Sequence, residues 1–221
     1  MFTSARLIGA GRVGSAVAAR LRERGVALDG REPELVLLCV PDSAIADAAA
    51  EVEPGPWVAH VSGATRLSAL APHERRFSVH PLQTFVHERG PEQLDGAWAA
   101  VSGETPEAVE RGFALARLLA LEPFELEDAE RPVYHAGAAL ASSYLVTLHR
   151  AASELLEAAG APAEALVPLM LRTIENGFRP TGPIVRGDWT TVEAHLTAIR
   201  AETPHLEPLY RALAGAAGAR V

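Results

Sequence analysis

Short apolar runs alternate with stretches of helical period over the first two-thirds of the chain. The runs at 5–11, 34–42, 57–64, 76–82, 97–103 and 122–128 predict strands. Between them, 13–25 predicts a helix ended by Gly25, and 43–52 a helix capped by Asp42 or Ser43. The stretch 105–120 predicts a helix with Thr105 as its cap and Pro106 at its first position. Strands alternating with helices imply an α/β, mainly parallel, doubly wound sheet. From about residue 129 only helical periodicity remains. A long helix runs to Gly160, and others follow over 161–178, 190–202 (capped by Thr190) and 203–218. The expected organisation is a sheet domain over 1–128 and an all-helical domain over 129–221.

One interval is too short. Residues 26–29 (VALD) stand where a second parallel strand is expected, yet the buried run LVLLCV follows after only GREPE. Parallel neighbours need a crossover of a dozen or more residues. Either VALD is a short edge or loop segment, or the first helix crosses directly from the first strand to LVLLCV. In both cases the fold is truncated after its first helix.

Composition narrows the function. The net charge is −8, which disfavours nucleic acid as a partner, since phosphate binding needs a basic face. The chain has no lysine, so no lysine base or Schiff base is available. Its single cysteine, Cys39, reads as a small buried hydrophobe, and no disulfide or multi-cysteine metal site is expected. No apolar run approaches the roughly 18 residues needed to span a membrane, and no signal-peptide pattern opens the chain. A soluble cytoplasmic protein is the expectation.

The chemistry-bearing motif is G-x-G-x-x-G at Gly9, Gly11 and Gly14, directly after a strand and opening a helix. The first glycine permits a tight turn, the second lets a pyrophosphate approach, and the third allows close helix–strand packing. The helix N-terminus supplies free N–H groups. Arg12, beside Val13 in the turn, is a candidate phosphate partner. The acidic residue that would read the ribose has Asp29 as its nearest candidate. Other polar residues fall at carboxyl ends of strands, where open α/β sheets bind ligands. They are Pro41 and Asp42, His60 and Ser62, and His80 with Gln83 and Thr84 behind it. Alternation puts Ser78 and His80 on one face, and His60 and Ser62 on one face. His80 is a candidate general acid or base, and His60 a buried, bonded residue. In the helical part His135, Ala139, Ser142 and Ser143 share a face at helical spacing. Arg186 is either an anion clamp or the partner of Asp188.

Six segments occur in order: LIGAGRVGSAVAARL, LLCVPDSAI, HVSGA, VHPLQTF, YHAGAALASSYLVTL and TGPIVRGDWTTVEAHL. Together they resemble the Rossmann-like NADP-linked oxidoreductases whose helical C-terminal half is a domain of unknown function. More distantly, the chain is similar to pyrroline-5-carboxylate reductase, prephenate dehydrogenase and the 6-phosphogluconate dehydrogenase-like proteins. The resemblance implies a Rossmann domain, a helical homodimerisation domain and a small-molecule site in the cleft between them. It implies NADP at Gly9, Gly11, Arg12, Val13 and Gly14 under the loop Val40, Pro41 and Asp42. It puts Ser62 and His80 near the nicotinamide and His135 at the start of the family's first C-terminal helix; as catalytic residues, His80 or His135 would move the proton and Ser62 would orient the substrate. Ser143 departs from the asparagine usual in the family, and the missing lysine excludes the lysine-dependent route of the β-hydroxyacid dehydrogenases. Two functions stay open: an oxidoreductase, or a binding module with a degenerate dinucleotide site.

Overall fold

The computed structural model of the protein describes residues 1–28, 30 and 32–218. The chain divides into two compact units, Met1–Leu140 and Ala141–Val221. The expected boundary near residue 128 separates sheet from helices in sequence. The compact unit runs further because the first residue of the next helix, Arg131, is fully buried in the sheet unit.

The first unit is built on six strands: β1 (Ala5–Ile8), β2 (Leu35–Leu38), β3 (Trp57–His60), β4 (Arg76–Pro81), β5 (Trp98–Gly103) and β6 (Glu122–Glu125). They lie in sequence order. All neighbours pair parallel except β4 and β5, which are antiparallel with His80 opposite Ala100. The sequence reading did not identify this reversal. Helices α1 (Arg12–Glu23) and α3 (Pro106–Leu118) share one apolar cluster with Leu35, Leu37, Ala59, Phe77 and Val101. Helix α2 (Ile45–Ala50) shares the other with Val36, Leu38 and Val58. The alternation along each strand assigns these side chains to opposite faces of one sheet. A fully buried side chain such as Leu115 of α3 contributes roughly 2–3 kcal/mol by its burial.

The short interval after α1 is resolved by backbone bonds. Ala27 forms a single parallel bridge to Ser4, with Ala27 N–H to Thr3 O at 2.9 Å and Ala5 N–H to Ala27 O at 2.8 Å. On the other edge of β1, Cys39 N–H donates to Ile8 O at 2.7 Å. Glu34, just before β2, accepts from the Thr3 backbone N–H at 2.8 Å. Ala27 is therefore a one-residue edge strand. The connection through α1 leads to one side of β1, and those through α2 step away on the other. Right-handed connections in opposite directions place their helices on opposite faces. Asp29 lies outside the described residues.

Several local expectations change. Helix α3 is capped as predicted, Thr105 accepting from Ala108 N–H at 3.2 Å. Neither Asp42 nor Ser43 caps α2 with its side chain; both lie in a 3-10 turn, Asp42–Ala44, that leads into it. The long helix expected up to Gly160 is two helices, α4 (Arg131–Ala141) and α5 (Ser143–Ala158), broken at Ser142 near the division between units. The face expected of His135, Ala139, Ser142 and Ser143 is therefore not continuous.

The second unit holds α5, α6 (Leu166–Glu175), α7 (Trp189–Glu202) and α8 (Glu207–Ala216). Helix α5 packs on α6 and α7 on α8. The cap of α7 is Asp188, not Thr190. Its carboxylate accepts from Thr191 N–H at 3.1 Å and from Thr191 Oγ1 at 2.7 Å. Arg186 donates to Thr181 O, and its charge helps, after the Thr191 hydrogen bonds, to hold the Asp188 carboxyl below its usual range. No helix among the described residues is long and apolar enough to cross a membrane.

Candidate functional site

The chain reverses its direction of travel across the sheet at β1 and β2, and the glycine turn lies at their carboxyl ends. Gly9 has φ +107°, a conformation glycine adopts without strain. A side chain there would also run into the carbonyl of Cys39. A side chain at Gly14 would strike the carbonyl of Gly9 and come within 3.1 Å of Cys39 Cβ. The turn, the helix and the end of β2 are thus nested, and both glycines are demanded by packing. Gly11 differs: nothing lies within 4 Å of where its side chain would be. It is the N-cap of α1 and supplies no side-chain cap; the first turn holds no acidic residue. The space beside Gly11 at the start of α1 is therefore open, and a helix start with free N–H groups and a positive dipole end suits a phosphate. Arg12 beside them is exposed and Val13 half-buried; Val40 is half-buried, with exposed Pro41 and Asp42 after it. Cys39 is buried, and burial pushes its thiol up to about 12, so it is no nucleophile at neutral pH.

A second cluster forms at the ends of β3 and β4. His80 Nδ1 and the Tyr134 hydroxyl share a hydrogen bond of 2.8 Å, with the rings edge to face at 5.6 Å. His135 packs against the same imidazole, its ring centroid 6.1 Å away. Gly63 closes the group. A side chain there would sit 2.7 Å from His80 Cε1, 2.8 Å from His80 Nε2 and 2.7 Å from His135 Cδ2. Burial, then the neighbouring His135 and Arg131, lower His80 to about 4. Burial pushes Tyr134 up to about 12. At neutral pH the pair is therefore an uncharged imidazole and a protonated phenol.

Beneath the cluster, Arg131 is fully buried. Its Nε meets Asp128 Oδ1 at 3.1 Å. Its Nη1 donates to the carbonyls of Ser62 (2.8 Å) and Gly63 (3.4 Å), and its Nη2 to Ser102 Oγ (3.1 Å). His60 is fully buried beside it. Its Nδ1 accepts from Ser62 N–H at 3.2 Å, while Nε2 has no hydrogen-bond partner among the described residues. Burial, Arg131 and His80 together lower it to about 3.

Of the residues expected at the substrate end, His80 and His135 come together. Ser62 lies nearby, but its hydroxyl is committed to its own turn. It accepts from Ala64 N–H (3.2 Å) and Thr65 N–H (3.0 Å) and donates to Thr65 Oγ1 (2.9 Å). Sequence reasoning missed Tyr134, Arg131 and Gly63. Tyr134 adjoins His135, and Arg131 falls one helical turn earlier, which is the only signal that pointed to them. A groove of about 680 Å³, lined by Phe2, Arg6, Trp57, Arg75 and Arg111 among others, lies at the opposite, amino ends of the strands. It shares no residue with either cluster.

The family model described as domain of unknown function (DUF2520) matches residues 97–217. The chain belongs to that family. The match begins at β5, so the DUF2520 domain takes in the last strands of the sheet as well as the helices. Among curated proteins, none matches the sequence. Solved structures do. A candidate NADP oxidoreductase from Bacteroides fragilis is 20% identical, with TM-score 0.82 over 98% of each chain. A protein from Thermotoga maritima is 20% identical, with TM-score 0.77 over 96% of each chain. An imine reductase from Aspergillus terreus, in complex with NADPH4, is 17% identical, with TM-score 0.63 over 96% of this chain and 93% of that one. At these identities the likeness establishes the fold, the Rossmann-like architecture read from the sequence.

Proposed function

We propose that this DUF2520 protein is an NAD(P)-dependent oxidoreductase acting on a small molecule. The observation that carries the reading is the open space over Gly11 at an uncapped helix N-terminus, between a turn and a strand end packed tightly through Gly9, Gly14 and Cys39. The residues fit the group: Gly9, Gly11, Arg12, Val13 and Gly14 would hold the pyrophosphate, and Val40, Pro41 and Asp42 would lie over it. When bound, the nicotinamide supplies hydride transfer. The chain's own task is then to hold the substrate and move a proton. Tyr134 retains its proton at neutral pH and is the proton donor; His80, uncharged, holds the phenol in place through Nδ1. His135 bounds the same space, and Ser62 shapes the turn that contains Gly63.

Thermal shift with NADPH, NADH, AMP and inorganic phosphate tests the reading. A ligand at 100 times its Kd adds about 2.7 kcal/mol of stability. Gly11→Asp removes the gain, because a carboxylate then occupies the approach to the α1 N-terminus. No shift with either nicotinamide at millimolar concentration would refute the proposal.

A second reading, a binding module without redox chemistry, draws on one observation: the strand that normally flanks the adenosine is a single bridge at Ala27. A shift with AMP or phosphate and none with NADPH would favour it.

We also infer a homodimer formed through the helical unit. Helix α5 buries no residue of its own, and Val167, Leu171 and Ile174 of α6 form an exposed apolar face. Exposed apolar faces of this kind mark interfaces.

A further inference from the structure

We infer that Arg131 and Gly63 together are the positioning device of the His80–Tyr134–His135 cluster. The guanidinium draws in the two carbonyls of the Ser62–Gly63 turn, and the bare Cα of Gly63 lets both imidazoles close against that turn. The inference rests on reading this cluster as the substrate end of the site, but its test reads the imidazole itself.

A fully buried guanidinium is costly unless its donors are met, and an apolar side chain of similar volume often serves stability as well. Arg131 has one carboxylate partner, Asp128, which also accepts from Leu67 N–H at 3.0 Å. Its other donors go to neutral acceptors on separate segments, the turn after β3 and Ser102 of β5. Ser102 in turn donates to Leu126 O at 2.6 Å. Only a planar fork with donors in fixed directions spans that set. Because Arg131 opens α4, the helix that carries Tyr134 and His135, one residue sets both the turn and the helix. Gly63 is not in the left-handed region, so its backbone does not require glycine. The space does, since a methyl group there would meet both imidazoles at 2.7 Å. The groups facing His80 are Tyr134, His135 and Arg131 of α4, with Asp128 tied to Arg131, and His60 of β3.

The experiment follows the ring protons of His80 by NMR across a pH titration in the full chain, for the wild type, Arg131→Lys and Gly63→Ala. In the wild type His80 stays uncharged down to about 4. Gly63→Ala forces the ring outward, so its midpoint rises by roughly one unit or more, and the contact between His80 and Tyr134 is lost. Arg131→Lys keeps a charge but not the fork, and it shifts the midpoint in the same direction. Arg131→Lys titrating as the wild type would overturn the proposal, because the charge alone would then suffice. Gly63→Ala with an unmoved midpoint and an intact Tyr134 contact would overturn it too. Should Arg131→Lys not fold, Gly63→Ala decides, since it removes no partner of a buried charge. NADPH thermal shifts on the same samples separate the two claims. Absence of nicotinamide binding throughout refutes the redox reading and leaves the positioning result standing.

Discussion

A histidine buried beside a buried guanidinium has to stay uncharged, and that condition makes the fold sensitive to acid. His60 and His80 are lowered to about 3 and about 4, chiefly by burial. In the unfolded chain each returns to about 6.5. Above that pH both states are neutral and the stability is full. As pH falls from 6.5 towards 4, the unfolded state takes up protons that the folded state refuses, so stability is lost. At pH 5, one and a half units below 6.5, the loss is on the order of 2 kcal/mol for each histidine. Urea melts between pH 7 and 4.5 measure it, and His60→Gln should flatten the slope; an unchanged slope would contradict the assignment. His80 was legible as a polar residue at a strand end because it ends an alternating run. Tyr134 and Arg131 were not, because neither their burial nor their partners on β4, on β5 and in the turn after β3 leave a mark in helical periodicity.

At the scale of the element, the three glycines of the turn separate into two roles. Gly9→Ala and Gly14→Ala each force a methyl group into backbone, and Gly9 adds a positive φ. Each should cost about 3 kcal/mol. Gly11→Ala meets nothing and sits at φ −72°, so its melting temperature should match the wild type while nucleotide affinity falls. Calorimetry and ligand titration on the same three variants check this; loss of stability in Gly11→Ala would mean that the turn is packed differently. The tight turn at Gly9 and the close packing at Gly14 were legible in the motif. The antiparallel turn into β5 and the break at Ser142 were hidden, since strand direction and helix continuity depend on what an element packs against.

For the whole molecule, the exposed face of α6 makes assembly testable. Leu171 is 54% exposed although it lies on the apolar side of its helix. Leu171→Glu should convert a dimer into a monomer by light scattering without altering the sheet unit; a wild-type monomer would remove the proposed interface. The truncation belongs to this scale too. Crossover length showed from the sequence that a full second strand had no room, and the single bridge at Ala27 is what remains. By itself the sequence determined the Rossmann-like class, the glycine turn between β1 and α1, and that missing unit. These depend on local spacing: period, glycine geometry and the length of a crossover. Only the tertiary structure decided that Arg131, Gly63, His80, Tyr134 and His135 meet. Their contacts join segments far apart in the chain, and burial and pairing arise only once the sheet and α4 have packed.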